Sequence, residues 1–252
     1  MKIQYASDLH IEFPENKEFL KTNPLKPIGD TLVLAGDIVP FAVLEENLDF
    51  FSYLSDNFEN TYWIPGNHEY YYYNLADKCG IFNEKITNNV HLLNNCSLKI
   101  NNINFVFTTL WSHIKSVNQW QIYNSMNDFR LIKHGDDILS VEQYNILHKE
   151  SIRFLNEALS SCTTEKSVVV SHHLPTFMNY PEKYKGDVLN EAFAVELYDM
   201  IQQYQPDFWI YGHTHGNTDD FTIGKTNMVT NQFGYLQYEE HKDFNSEKYF
   251  EL

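Results

Sequence analysis

Carboxylate, imidazole and amide side chains recur at five places in the 252-residue sequence, each just after a short apolar run. These places are Asp8-Leu9-His10, Gly36-Asp37, Gly66-Asn67-His68-Glu69, His172-His173 and Gly212-His213-Thr214-His215. Side chains two residues apart just past a strand can point the same way, because the side-chain period of a strand is two. Oxygen and nitrogen ligands without sulfur favour Mn, Fe, Zn, Co or Ni over soft ions, and over Ca or Mg held by oxygen alone.

The elements that must position these motifs are five predicted strands, at residues 2–7, 31–35, 62–64, 167–171 and 207–211. Predicted helices alternate with them, and this rhythm indicates an α/β fold with a sheet flanked by helices. In open α/β sheets, ligands bind outside the carboxyl ends of the strands. We therefore expect the five motifs to converge at one edge of a sheet, with Asp37 free to bridge two cations.

The other elements are predicted from periodicity and turn residues. Helices are expected at 41–58, 74–87, 140–160 and 187–204, the third opened by a capping box of Ser140 and Gln143. A loop is expected before Gly29, antiparallel hairpins within 90–108, another hairpin at 221–230, and a strand near Tyr249. The irregular, aromatic stretch 109–139 is a possible lid insertion. With no linker or repeat, residues 1–252 are interpreted as one domain.

Composition limits the partners of the chain. A formal net charge of −16, with only two arginines, argues against broad binding of nucleic acid, because an acidic surface repels phosphate backbones. Three widely spaced cysteines without a CxxC motif favour reduced thiols and a cytoplasmic location. The sequence shows no apolar run long enough to span a membrane and no signal peptide, so no membrane partner is expected.

The five motifs, in this order, resemble those of the calcineurin-like metallophosphoesterase family. The resemblance implies a four-layer α/β/β/α sandwich with two mixed sheets and a pair of divalent metal ions at their edge, with Mn the ion expected to support activity. The implied ligands of the first ion are Asp8, His10, Asp37 and His215. Those of the second are Asp37, Asn67, His172 and His213, with His172 preferred over His173 because it directly follows the strand.

The resemblance also implies an activity. A phosphate mono- or diester, expected to be a small molecule, is hydrolysed by attack of a metal-bridging hydroxide, which makes Asp37 a catalytic residue. His68 then stabilises or protonates the leaving oxygen, and Glu69 or Asp8 is expected to orient it. A nuclease would need a basic track that the composition does not offer, and an inactive protein-binding scaffold would be expected to lack His68.

Substrate contacts are predicted at His173, Arg130 and Tyr70. Arg130 is either a surface arginine paired with Asp128 or Asp136, or a bidentate phosphate contact. Tyr70 follows Glu69 directly and is the aromatic residue expected to line the cleft. The natural substrate, the choice between monoester and diester, the metal identity and the oligomeric state stay open.

Overall fold

The computed structural model describes residues 1–162 and 166–252, and in this part of the chain it contains two six-stranded sheets and a two-stranded one. The strands are β1 (Lys2–Ala6), β2 (Thr31–Ala35), β3 (Asn60–Ile64), β4 (Phe82–Lys85), β5 (Val90–Asn94), β6 (Cys96–Ile100), β7 (Ile103–Thr108), β8 (Lys133–His134), β9 (Asp137–Ile138), β10 (Lys166–Ser171), β11 (Phe208–Tyr211), β12 (Phe221–Ile223), β13 (Thr226–Thr230) and β14 (Tyr249–Glu251).

Helical segments connect these strands. The α-helices are α1 (Pro14–Thr22), α2 (Leu48–Asn57), α3 (Gln119–Ser125), α4 (Asp128–Leu131), α5 (Val141–Ser160) and α6 (Tyr198–Tyr204). Short 3₁₀ turns lie at Phe41–Asn47, His68–Tyr70, Leu75–Asp77, Glu182–Tyr184, Val188–Ala192, Leu236–Tyr238 and Glu240–Asp243. Within the described residues, no helix combines the length and the apolar character that a membrane crossing would require.

Both large sheets are mixed, as predicted. The first has the order β14-β1-β2-β3-β5-β4, in which the four central strands are parallel and the two edge strands are antiparallel to their neighbours. The second has the order β12-β13-β11-β10-β7-β6 and the same arrangement of parallel centre and antiparallel edges. Parallel central strands end at the same side, which brings the residues that follow them to one edge.

Three buried clusters show the four layers. Strand β2 is buried on both faces, with Val33 in the cluster between the two sheets and Leu32 in the cluster that includes Phe51 of α2. The second sheet has its own outer cluster, in which Trp209 packs with Leu155 of α5. This alternation follows from the two-residue side-chain period of a strand that is covered on both faces. The predicted α/β/β/α sandwich is confirmed.

Several predicted elements differ from the structure. A helix, α1, stands where a loop was predicted; Pro14 at its first position and Glu15 in its first turn are helix-start signals that the polar composition masked. The helix predicted at 74–87 is wrong, because the chain forms a short 3₁₀ turn and then β4, which pairs with β5. Gly80, with a φ of +70°, separates the two.

Two further predictions are half right. The helix predicted at 187–204 splits into the 3₁₀ turn Val188–Ala192 and α6, and β5 pairs in parallel with β3 instead of forming a hairpin with β6. The hairpin of β6 and β7 is confirmed, as is the capping box of Ser140 and Gln143 at the start of α5. The stretch 109–139 holds α3, α4 and the β8–β9 pair.

Candidate metal centre

The five motifs lie directly after β1, β2, β3, β10 and β11, so they meet at the carboxyl edges of the two sheets. Five of the motif residues, Asp8, His10, Asp37, His213 and His215, have φ values between 47° and 81°. Left-handed backbone is uncommon for residues other than glycine and is stabilised only where surrounding contacts enforce it, which is frequent at functional sites. The chain therefore turns sharply after β1, β2 and β11, and each of these turns carries polar side chains to the edge of the sheets.

One group of potential ligands comprises Asp8, His10, Asp37 and His215, whose ligand atoms all lie within 4.8 Å of one another. The two imidazole Nε2 atoms are 3.0 Å apart. Nε2 of His215 lies 3.5 Å from Oδ1 of Asp8, and Nε2 of His10 lies 3.8 Å from Oδ2 of Asp37. These are the four residues that the resemblance implied for the first ion.

A second group shares Asp37 with the first and adds His172 and His213. Nε2 of His172 is 3.0 Å from Nδ1 of His213 and 3.3 Å from Oδ2 of Asp37. The carboxamide oxygen of Asn67 is also 3.3 Å from Nε2 of His172. Because Oδ2 of Asp37 faces His10 on one side and His172 on the other, this carboxylate lies between the two groups.

The remaining ring nitrogens of the first group have acceptors. Nδ1 of His10 lies 3.1 Å from a carboxylate oxygen of Glu12, and Nδ1 of His215 lies 2.8 Å from one of Glu240. Each Nδ1 therefore donates its proton outward, and each Nε2 presents a lone pair to the other at 3.0 Å. Two facing lone pairs repel each other unless a cation lies between them. This is the arrangement of metal-binding histidines.

The second group repeats the pattern with backbone carbonyls. Nδ1 of His172 donates to the carbonyl of Ala35 at 2.9 Å, and Nε2 of His213 lies 3.4 Å from the carbonyl of Ala192. The other nitrogen of each ring faces Asp37 or its partner histidine. Burial lowers the pKa of His213 well below its usual range, which favours the neutral ring that a metal needs. Both groups fit divalent cations.

His68 lies at the mouth of the site. Its ring stacks on Tyr71 with centroids 4.0 Å apart, its Nδ1 is 3.5 Å from a carboxylate oxygen of Glu12, and its backbone N–H donates to Asp37. Burial opposes its protonation, but the carboxylates of Asp37 and Glu12 raise the pKa of His68 to about 9. The residue that orients it is Glu12, not Glu69 or Asp8 as predicted, because the carboxylates of those two accept backbone N–H groups.

Asp128, expected from the sequence only as a partner for Arg130, is fully buried. Its Oδ1 accepts hydrogen bonds from Nδ2 of Asn67 at 2.9 Å and from the hydroxyl of Tyr71 at 2.8 Å. Burial raises the pKa of this carboxyl, and the two hydrogen bonds oppose the rise. No sequence motif marks it, because its partners belong to a turn some sixty residues earlier.

The three residues predicted to contact substrate, Tyr70, His173 and Arg130, do not line the cleft that opens onto the candidate ligands. Tyr70 is 1% exposed and packs edge-on against Phe41 in the core, because the 3₁₀ turn after Asn67 points it inward. His173 is fully buried, with Nε2 beside the hydroxyl of Tyr144. Arg130 is exposed, does not pair with Asp128, and donates to the carbonyl of Asn124. None of the three lines the cleft described next.

A cleft of about 320 Å³ opens onto the site. Its floor includes Asp37, Asn67, His68, His213 and His215, and the aromatic part of its wall is Tyr71, Tyr184, Phe193, Tyr235 and Tyr238. Among the described residues that line it there is no lysine or arginine, and Glu240 adds a negative charge. A phosphate bound here would thus obtain little positive charge from side chains other than histidine.

A second, largely apolar pocket of about 150 Å³ adjoins the cleft, because both are lined by Tyr184 and Phe193. Leu189, Asn190 and Tyr180 form part of its wall. Asn190 already bonds the hydroxyl of Tyr180 and the carbonyl of Tyr184, so its polar atoms are satisfied within the chain. Phe193 stacks on His213 with centroids 4.5 Å apart, which places this pocket one ring away from the candidate ligands.

Comparison with known proteins identifies relatives along the whole chain. The family model of calcineurin-like phosphoesterases matches residues 1–217. An uncharacterized protein of Acanthamoeba polyphaga mimivirus is 31% identical, over 99% of this chain and 96% of that protein. Phosphopantetheinyl hydrolase from Mycobacterium tuberculosis has a similar structure, with a TM-score of 0.69 at 15% identity over 97% of this chain and 93% of that one. A dimetal phosphatase from Danio rerio gives a TM-score of 0.53 at 14% identity, over 92% and 87%.

Proposed function

The chain belongs to the calcineurin-like phosphoesterase family, and on that premise we propose that it hydrolyses the phosphate ester of a small, uncharged alcohol with two divalent metal ions. The observation that carries this proposal is the convergence of imidazole lone pairs from both sheets on the carboxylate of Asp37. Asp8, His10, Asp37 and His215 would hold one ion, and Asp37, Asn67, His172 and His213 the other. When bound, such ions supply positive charge to phosphoryl oxygens and lower the pKa of water.

The side chains around the ions have separate tasks. Glu12 faces Nδ1 of His68, so Nε2 is the nitrogen left to donate a proton toward the leaving oxygen of the ester. Stacking on Tyr71 fixes the plane of the ring. General acid catalysis of this kind is typically worth about 10²- to 10⁴-fold in rate. Cations beside Asp37 would lower the pKa of His68 from about 9 toward neutrality, where it can both hold and release a proton.

The lining of the cleft favours one class of leaving group. A substrate with several phosphates, or a nucleic acid backbone, would need lysine or arginine beyond the metal centre, and none lines the cleft among the described residues. Aromatic rings instead surround the entrance and continue into the apolar pocket at Leu189. Rings of this kind suit a flat or apolar group without charge. We therefore favour an ester with one phosphate and an uncharged, ring-bearing alcohol.

The activity itself is tested with protein loaded with Mn²⁺ and two chromogenic esters, p-nitrophenyl phosphate and bis(p-nitrophenyl) phosphate. Turnover of either, lost on chelation and regained with metal, is the expected result. The ratio of kcat/KM for the two esters distinguishes a monoesterase from a diesterase. Absence of turnover of both esters by protein that carries two metal ions would reject the hydrolase and favour a binding scaffold.

The substrate class is tested with esters of similar intrinsic reactivity. Benzyl phosphate and glycerol 1-phosphate both release a primary alcohol, so a higher kcat/KM for benzyl phosphate reports recognition of the ring. The variant Leu189→Trp should fill the apolar pocket and lower kcat/KM for benzyl phosphate while leaving glycerol 1-phosphate unchanged. Equal kcat/KM for the two esters in wild-type protein would reject the substrate class and leave the hydrolase standing.

A further inference from the structure

We propose that Asp128 is a positioning residue that turns the carboxamide oxygen of Asn67 toward Asp37 and His172, and so completes the second cation site from the segment 109–139. The inference rests on the proposed function only in assuming that divalent cations bind there. The inference is supported by two contacts of the Asn67 amide. Its Nδ2 atom donates to Asp128 at 2.9 Å, and its Oδ1 atom lies 3.3 Å from Nε2 of His172.

An asparagine amide can present either its oxygen or its NH₂ group to a cation, and only the oxygen can bind. The orientation is therefore a choice between two states of similar shape. Oδ1 of Asp128 also accepts the hydroxyl of Tyr71 at 2.8 Å, so it is an acceptor for both donors. This holds whether or not the other oxygen carries a proton. With that acceptor on one side, the NH₂ group of Asn67 must face Asp128 and the carbonyl must face the centre.

Burial makes the choice strong. Asp128 is fully buried, and Asn67 is 2% exposed, so water has little access to the NH₂ group of Asn67. The other acceptor near this group is the hydroxyl of Tyr71, at the longer distance of 3.4 Å. A buried N–H group that loses its short hydrogen bond is costly, so without Asp128 the amide should rotate or shift, for example toward the hydroxyl of Tyr71. The Oδ2 atom of Asp128 has no hydrogen-bond partner within the described residues. The hydrogen bonds of this carboxylate to side chains are therefore those that Oδ1 accepts from Asn67 and Tyr71.

A purely structural role for Asp128 is the competing explanation, because Asp128 starts the short helix α4 and could simply fasten its segment to the core. The two roles differ in what the acceptor oxygen does for metal binding. Calorimetric titration of the full chain with Zn²⁺ measures the affinity of both sites without any substrate, and so distinguishes the two roles. If wild-type protein binds both ions but hydrolyses no ester, the proposed function is rejected and the positioning role still stands.

The variant Asp128→Ala should weaken Zn²⁺ binding at one of the two sites by about 10- to 100-fold, the usual effect of removing a group that orients a ligand. The variant Asp128→Asn should retain wild-type affinity, since its carbonyl oxygen can still accept from Asn67. Equal losses in both variants would show that the charge matters and would overturn the proposal. Asp136→Ala, which removes an exposed carboxylate from the same segment, is the matched control and should bind Zn²⁺ like wild type.

A double-mutant cycle shows whether Asp128 acts through Asn67. In an Asn67→Ala background, the added Asp128→Ala change should not weaken Zn²⁺ binding further, whereas independent effects would add and contradict the inference. If Asp128→Ala does not fold, nuclear magnetic resonance of the wild-type protein tests the same inference. On adding Zn²⁺, the ¹³Cγ resonance of Asn67 should shift while its side-chain amide protons stay protected from exchange. Rapidly exchanging amide protons would overturn the assignment.

Discussion

Glu69 joins two of the turns that carry the candidate ligands, and its replacement by glutamine gives a sharp test of that role. The side chain is fully buried. One carboxylate oxygen accepts the backbone N–H groups of Asp37 at 2.9 Å and Gly66 at 2.6 Å. The other accepts the backbone N–H of Ile38 at 2.7 Å and the indole N–H of Trp63 at 3.1 Å. Each oxygen thus binds two donors, and the turns after β2 and β3 are held together.

The magnitude follows from counting donors. Glutamine has nearly the same shape, but one of the two oxygens becomes an NH₂ group. In either orientation of the amide, two buried N–H donors then face another donor. Leaving a buried donor unsatisfied costs about 1–3 kcal/mol, so Glu69→Gln should lower the free energy of unfolding by about 2–6 kcal/mol. That is a large share of the roughly 5–15 kcal/mol that stabilises a typical folded protein.

The pH of the measurement matters. Burial and the neighbouring Asp37 raise the pKa of Glu69 to about 8, while the N–H donors of Ile38 and Gly66 oppose the rise. All four donors are satisfied only by the ionised form, so the comparison is made at pH 9. There the carboxylate is ionised in both the folded and the unfolded chain. The difference between the two proteins therefore reports the hydrogen bonds less the cost of burying the charge, and the value from the donor count is its upper range.

Urea unfolding at pH 9, with linear extrapolation to water, measures the effect. The control is Glu18→Gln on the exposed face of α1, which should stay within about 0.5 kcal/mol of wild type. Glu69→Gln should also bind Zn²⁺ more weakly, because the turns that carry Asp37 and Asn67 lose their common anchor. A Glu69→Gln protein at least as stable as wild type at pH 9 would refute the prediction, because the four hydrogen bonds would then not outweigh the cost of burying the charge.

Three other predictions concern single side chains. His68→Ala should keep both metal ions and lose about 10²- to 10⁴-fold in kcat; metal analysis that finds an ion lost would contradict its assigned role. Asp37→Ala should empty at least one site, and full occupancy by elemental analysis would argue against a bridging carboxylate. Burial lowers the pKa of His148, whose Nδ1 donates to the carbonyl of Trp111, so the neutral ring stabilises the fold above the unfolded pKa near 6.5 and loses this contribution as the pH falls. Wild type should therefore lose more unfolding free energy than His148→Gln between pH 7.5 and 5; parallel curves would contradict this.

The convergence of the ligand-type residues could be predicted from the sequence, because each follows an apolar run and parallel strands end at a common edge. The helix predicted at 74–87 fails for the opposite reason. Its local pattern is weak, and pairing of β4 with β5 decides the structure. Tertiary contacts override propensity most easily in such short segments. Local patterns therefore identify the strand ends, whereas the connections between strands depend on contacts that are distant in sequence.

The residues around the ligands are harder to find from sequence. Glu12 and Glu240 are single acidic residues without a motif, and only the folded chain shows that they face Nδ1 of His10 and of His215. Tyr70 is the converse case, since its position beside Glu69 suggests the cleft while the 3₁₀ turn buries it. A spacing of one residue does not determine on which side of a turn a side chain lies.

The distribution of charge explains how an acidic protein could act on a phosphate ester. The candidate centre and its cleft contain several carboxylates, among them Asp8, Asp37 and Glu240. No lysine or arginine is found among the described residues that line the cleft. An anion would be repelled by these groups alone. Two divalent ions would reverse the sign of the field at the one place where the phosphate must bind. Inorganic phosphate should therefore bind only in the presence of metal, and retention of phosphate binding by protein treated with a chelator would show that another part of the chain supplies the positive charge.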